Sequence, residues 1–158
     1  MTNKKSILFI TVTFPPRLSV ASLRLYNYAK LFHENGWKVN VITCTQEGQS
    51  ISDEFDLKIF NIIDIPWKDP YAKIQKINNK KLRKVVIKSV SYIIPQLPIW
   101  LPDIRFMSWK KNAIKCANEL IKKQEISHIY TTFSPPSPHL IGRKLKSNYK
   151  NIYWIAKY

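Results

Sequence analysis

The stretch from Ser6 to Phe14, SILFITVTF, limits the folds open to this chain more than any other. It is nearly all apolar and rich in β-branched and aromatic residues, the pattern of a strand covered on both faces. Pro15-Pro16 ends it. Leu25, Tyr28, Ala29 and Phe32 then recur at i, i+3, i+4 and i+7, which places them on one helical face until Gly36 stops the helix. Trp37 to Thr45 (WKVNVITCT) gives a second strand. A strand, a crossover helix and a strand joined by such short loops make a right-handed parallel βαβ unit. The amino terminus imitates a signal peptide, with Lys4-Lys5, the apolar run and Ser19-Val20-Ala21 in order. Thr11 and Thr13 interrupt that run, and Pro15, Pro16 and Arg17 precede any cleavage point, so a buried first strand is the better expectation. No run approaches the roughly 18 apolar residues needed to span a bilayer.

The alternation continues. Phe55 to Ile65 is expected to be a third strand near an edge, Phe106 to Lys123 a helix, Ile126 to Phe133 a fourth strand, Pro138 to Lys146 a helix and Ile152 to Tyr158 a fifth strand. Residues 66–105 break the rhythm with five prolines and a helical stretch, and read as an insertion. The expected fold class is α/β: a Rossmann-like, doubly wound, mainly parallel sheet with a basic helical insertion. At 158 residues and 45% apolar composition, the chain has enough material for one core and reads as a single domain, residues 1–158. Cys44 and Cys116 have no metal-ligand spacing and are expected as free thiols in a reducing cytoplasm.

Charge is unevenly spread. Through Pro70 there are eight Lys and Arg against seven acids, and from Tyr71 onward eighteen against three, within a formal total of +16. The second half therefore presents a strongly positive surface, suited to an anionic partner: sugar phosphate, anionic lipid or nucleic acid. Lys73 to Lys88 holds seven basic residues and no acid. On a helical wheel, Leu82, Val86, Val90 and Ile93 share one side while Lys81, Lys84 and Lys88 line the other, as suits an anionic membrane surface. The same apolar face would equally pack on a core. Trp67, Tyr71 and Tyr92 offer stacking, yet no nucleic-acid module is recognisable, which makes nucleic acid the third choice.

In an open parallel sheet, ligands sit outside the carboxyl ends of the strands. The segments FPPRLSVASLR and SPPSPHLIG lie there. Two helix amino termini with Arg17, Arg24 and His139 would make an anion-receptive edge, since unpaired N–H groups and the positive dipole end favour phosphate. Turn chemistry alone accounts for either segment as well: Ser134 or Ser137 can cap a helix, and Pro135 or Pro138 suits its first position. His139 is a weak candidate acid, base or donor. No GxGxxG or Walker A loop, catalytic triad, paired carboxylate or metal cluster is present, so no cofactor or metal is expected.

Taken in order, FITVTFPP, SLRLYNYAKLF, NGWKVNVIT, LPDIRFMSW, HIYTTFSPPSPHLIG and WIAKY resemble the amino-terminal half of a glycosyltransferase family 4 enzyme of the bacterial surface-polysaccharide type. The resemblance implies a GT-B architecture, two Rossmann-like domains facing across a cleft, with this half binding the acceptor and the other the nucleotide-sugar donor, without metal. It carries Pro15, Pro16 and Arg24 to the first rim loop, Asp103 and Trp109 to the insertion and its helix, and Ser134, Pro135, Pro136 and His139 to the second rim loop. Two departures stand out. Leu18 to Ala21 replace a loop that often carries glycine, and WIAKY has Lys157 where relatives often place an acid. The implied function is the acceptor side of sugar transfer from a nucleotide-sugar donor to a cell-surface glycan or lipid-linked acceptor, at the cytoplasmic membrane face. No donor-binding domain is in this sequence, so the chain alone is expected to be inactive and to pair with a further domain or a split partner chain. The rival expectation is a non-catalytic basic module that docks on anionic membrane or on a partner protein.

Overall fold

The computed structural model describes residues 5–44, 55–67, 78–93, 106–133 and 135–158. Five strands form one sheet: β1 (Ser6–Ile10), β2 (Lys38–Thr43), β3 (Asn61–Asp64), β4 (Ile126–Thr132) and β5 (Tyr153–Lys157). Their order is β3-β2-β1-β4-β5 and every neighbouring pair is parallel. The helices are α1 (Val20–Glu34), α2 (Lys80–Ile93), α3 (Met107–Lys123) and α4 (Ser137–Asn148). The chain is thus α/β and Rossmann-like, doubly wound around a parallel sheet.

Alternation along β1 explains the layers, because successive strand side chains point to opposite faces. Ile7 and Phe9 join Val39, Val41 and Tyr130 under α1, which contributes Leu25 and Ala29, with Tyr28 and Phe32 packed at the margin. Leu8 and Ile10 point the other way, into a cluster with Ile42, Ile129 and the inner faces of α3 (Trp109, Ala113, Ala117, Leu120) and α4 (Ile141, Leu145). Trp109 is fully buried and donates its indole N–H to the Thr43 carbonyl at 3.1 Å, fastening α3 to the end of β2. A polar ladder around the buried Asn40 ties β1, β2 and β3: Asn40 donates to Ser6 Oγ at 3.1 Å, and Asn61 donates to Asn40 Oδ1 at 2.7 Å. Such pairing satisfies an amide that would otherwise be costly to bury.

Several boundaries differ from expectation for identifiable reasons. β1 stops at Ile10 rather than Phe14. The Thr11 hydroxyl donates to the Thr13 carbonyl at 3.1 Å and accepts from the Thr13 N–H at 3.2 Å, a local side-chain turn that competes with the ladder. β3 is only four residues, because Phe60 N–H turns back to the Leu57 carbonyl at 3.2 Å just before it. The α4 cap is Pro136, with no side-chain cap bond, and Ser137 and Pro138 are the first two helical residues, so Ser137 does not cap and Pro138 is not first. By contrast α1 begins with a full capping box between Ser19 and Ser22, and the Ser22 hydroxyl also reaches the Arg17 carbonyl.

Within α2, Asn79 Oδ1 accepts from the Lys81 and Leu82 N–H groups. Leu82 and Val85 are exposed, so at these positions the apolar side of α2 is not packed on the core. The side chains of Val90 and Ile93, and residues 68–77 and 94–105, lie outside the described residues. No helix among the described residues is long and apolar enough to cross a membrane.

Glycine is demanded at two places. Gly36 has φ +81°, the left-handed turn that ends α1 and feeds β2. At Gly142 a Cβ would stand 2.5 Å from Trp154 Nε1 and 2.9 Å from Thr131 Cγ2, where α4 crosses β4 and β5. Gly142→Ala is therefore expected to lower stability by roughly 1–3 kcal/mol, the usual cost of overpacking. A shift of the urea midpoint at unchanged slope checks this.

Candidate functional site at the carboxyl edge of the sheet

β1 leads outward to β2 and β3 on one side, whereas β4 and β5 lie on the other, so the order reverses between β1 and β4. Loops leave this point in opposite directions and open a crevice. A cavity of about 110 Å³ occupies it, lined by Thr11, Thr13 and Tyr28 among others from the β1–α1 side, by Tyr130 and Thr132 of β4 with Phe133 just after it, and by Lys157 of β5 with Tyr158 just after it.

Each wall has a local cause. Tyr130 lies under the cavity with its ring 4.9 Å from Phe9 and 6.2 Å from Tyr28. Burial pushes its phenol upward, the neighbouring Tyr28 adds to this, and the Arg24 guanidinium opposes it. Thr132 donates its hydroxyl to Thr11 Oγ1 at 3.1 Å, bridging the two strands across the reversal. Thr11 Oγ1 accepts from both Thr132 and the Thr13 N–H, so its acceptor capacity is filled. The lining carries two cations, Arg24 and Lys157, and no acid. Its chemistry therefore suits an anion bearing hydroxyl groups, with the tyrosine and phenylalanine rings offering apolar faces beside them.

Behind Phe133 and Tyr158 stands His139, buried at 9% exposure, with ring centroids 5.8 Å and 4.9 Å from theirs. Its Nδ1 lies 2.8 Å from Thr131 Oγ1, and Trp154 Nε1 donates to that same oxygen at 2.9 Å. Thr131 is fully buried and its hydroxyl shares a hydrogen bond with His139 Nδ1, the imidazole tautomer setting which of the two donates. Nε2 has no partner, nor does the buried Ser137 hydroxyl on the same helical turn. Burial holds the imidazole below the usual histidine range.

Of the residues expected from sequence, Arg24 lines the cavity and His139 stands one ring behind it, on the same edge of the sheet. Pro15 is buried, Pro16 is exposed and Arg17 is half-buried; none of the three lines the cavity. Pro135 and Pro136 are half-buried at the start of α4, also away from the lining, and Ser134 lies outside the described residues. Asp103 does too, while Trp109 is a core residue. Lys81, Lys84 and Lys88 are exposed on α2. Sequence reasoning missed Tyr28, Tyr130, Thr132 and Tyr158; threonines ending two neighbouring strands were the available signal. Among the described residues, no cluster of His, Cys, Asp and Glu is suited to holding a metal ion. Cys44, whose thiol donates to the Val12 carbonyl at 3.3 Å, and Cys116 are not disulfide-bonded, and the Cys116 thiol is shifted upward by burial and by Glu119.

No family model and no curated protein matches the chain. Solved structures do. A sucrose-phosphate synthase from Thermosynechococcus elongatus aligns with a TM-score of 0.58 at 11% identity over 98% of this chain. This chain spans 33% of that synthase. The C-terminal domain of a hydrogenase from Pyrococcus furiosus aligns at 0.58 and 14% identity over 97% of this chain and 90% of its own, and a second structure of it at 0.54 and 12% over 99% and 92%. At such identities the likeness is one of fold, an α/β Rossmann-like domain consistent with half of a GT-B fold.

A pH dependence follows from His139. The unfolded chain's imidazole titrates near 6.5 and the folded one lower, so below about 6.5 the unfolded state binds more protons and stability falls with acid. His128, lowered by burial and by Lys5, acts in the same direction. His139→Phe is expected to flatten, without abolishing, the loss of stability between about pH 7.5 and about pH 5, read from urea midpoints at each pH.

Proposed function

We propose that this chain is the acceptor-side domain of a glycosyltransferase, of the kind that moves a sugar from a nucleotide-sugar donor to a cell-surface glycan or a lipid-linked acceptor. The observation that carries this reading is the cavity at the β1/β4 reversal, whose lining combines Arg24 and Lys157 with tyrosines and no acid. Two cations match a phosphate, and the hydroxyl and aromatic groups match a sugar ring. The likeness to the sucrose-phosphate synthase supports it at the level of fold. At about 110 Å³ the cavity is smaller than the ~300–1,000 Å³ of a complete ligand site, which fits one wall of a cleft closed by a facing domain or chain. In this reading Arg24 binds the acceptor's anionic group, and Pro15, Pro16, Arg17, Pro135 and Pro136 shape the rim. His139 offers its unpartnered Nε2 to a sugar hydroxyl once the Tyr158 ring moves aside. The donor sits mainly on the facing domain, and this chain alone does not turn over. The surface-polysaccharide family 4 type, implied by the sequence resemblance, belongs to the same proposal.

The exposed Leu82 and Val85 beside Lys81, Lys84 and Lys88 favour peripheral attachment of α2 to an anionic bilayer, as a lipid-linked acceptor would require. The same observation favours the second reading, a non-catalytic membrane-docking module.

Calorimetric titration with hexose 1-phosphates and short-chain lipid-linked sugar phosphates separates the two. Binding that weakens tenfold or more in Arg24→Ala, as expected for loss of a charge-assisted hydrogen bond worth roughly 1.5–3 kcal/mol, supports the enzyme domain. No binding, or equal binding by Arg24→Ala, contradicts it. Reversing Lys81, Lys84 and Lys88 to Glu together is expected to cut binding to phosphatidylglycerol vesicles by about a hundredfold or more, at about 1 kcal/mol per lysine. Vesicle co-sedimentation reads this directly.

A further inference from the structure

The outer surface of α3 and α4 carries a second feature, unrelated to the strand-end cavity. A groove of about 490 Å³ runs between the two helices, lined by Lys110 and Ile114 of α3 and by Leu140, Arg143, Lys144 and Ser147 of α4. The spacing is i, i+4 on one helix and i, i+3, i+4, i+7 on the other, so each helix lends one continuous stripe. Ile114 and Leu140 are half-buried, while Arg143 and Lys144 are exposed. Three cations thus surround an apolar strip and no acid lines it. Among the described residues no acidic partner is seen for Lys110, Arg143 or Lys144, the Lys30–Glu34 pair lying elsewhere on α1.

We propose that this groove docks an acidic amphipathic helix of a partner protein, its apolar residues at i and i+3 or i+4 seated over Ile114 and Leu140 and its flanking Asp or Glu residues facing Lys110, Arg143 and Lys144. Shape and charge select this occupant. The stripe from Leu140 to Ser147 covers about 10 Å at 1.5 Å per residue, so about two turns of a guest helix fill it. A bilayer is flat and rewards a protruding apolar face, whereas an open groove between two helices rewards a rod. A second copy carries the same formal +16 and is repelled. Nucleic acid would bring anionic charge but no apolar stripe, and the lining has no aromatic ring on which a base can stack. The aliphatic stems of the lysines and arginine extend the apolar wall while their charged ends form the rim.

The test uses the whole chain and a fluorescein-labelled helical peptide of about 18 residues with leucines on one face and glutamates flanking them. Its controls are a scrambled peptide of equal composition and a version with lysine for every glutamate. Fluorescence anisotropy is expected to show saturable binding of the patterned peptide, weakening with salt, at least tenfold tighter than the scramble and lost in the lysine version. The triple variant Lys110→Glu, Arg143→Glu, Lys144→Glu is expected to lose at least tenfold, while Lys122→Glu with Lys123→Glu, at the far end of α3, loses less than threefold. Circular dichroism verifies that both variants fold, and Leu140→Gln alone provides a variant that removes apolar contact at constant charge, with an expected loss of threefold or more. Equal binding of patterned and scrambled peptides overturns the proposal, as does equal loss in the two charge-reversed variants. Loss of phosphatidylglycerol vesicle binding in the groove variant with peptide binding intact assigns the groove to a membrane instead. A dimer that the groove variant disrupts assigns it to a second copy. These outcomes are independent of whether the strand-end cavity binds a sugar phosphate.

Discussion

Ile7, Leu8, Phe9 and Ile10 have no solvent exposure, and because they point alternately to both sides of β1, each side of the sheet must be closed by its own layer. That requirement organises the molecule. With strands parallel, every connection is a crossover, and helices are driven to both faces: α1 over Ile7 and Phe9, α3 and α4 over Leu8 and Ile10. All carboxyl ends of the strands then face one edge.

The candidate site is a by-product of this winding. Placing β4 beside β1 rather than beside β3 brings Thr132 within hydrogen-bond distance of Thr11, residues 121 apart in the chain, and sets Lys157 of β5 across from Arg24 of α1. Gly142 lets α4 lie close enough to β4 and β5 for Trp154 and His139 to share the Thr131 hydroxyl. The buried histidine is thereby held against the Thr131 hydroxyl, while the rings of Phe133 and Tyr158 pack between it and the cavity. Arg24 and Lys157 thus meet where the sheet leaves room for a ligand.

Strands and helices were legible because their signals are local: the apolar run of β1, the i, i+3, i+4, i+7 spacing of α1, and the inward face of α3. Ends were less legible. The stop of β1 depends on one threonine bonding two residues ahead, and the α4 cap depends on backbone geometry at Pro136 rather than on a serine side chain. Arg24 was readable from its place just after the first rim loop. Tyr130, Thr132 and Tyr158 were not, since only the strand order puts them together, and strand order is a long-range property. His139 was expected on the rim; that it sits one ring behind the cavity follows from the packing of Tyr158, which its own sequence neighbourhood does not encode.

The claim on which the functional proposal stands is that ligand enters at the reversal between β1 and β4. Amide and side-chain chemical-shift mapping of isotope-labelled protein during titration with a hexose 1-phosphate tests it most directly. Saturable shifts concentrated at Thr11, Arg24, Tyr28, Thr132, Lys157 and Tyr158 are predicted, with Arg24 side-chain signals moving furthest. Shifts confined to α2 or to the α3/α4 groove, or none at all, would contradict it.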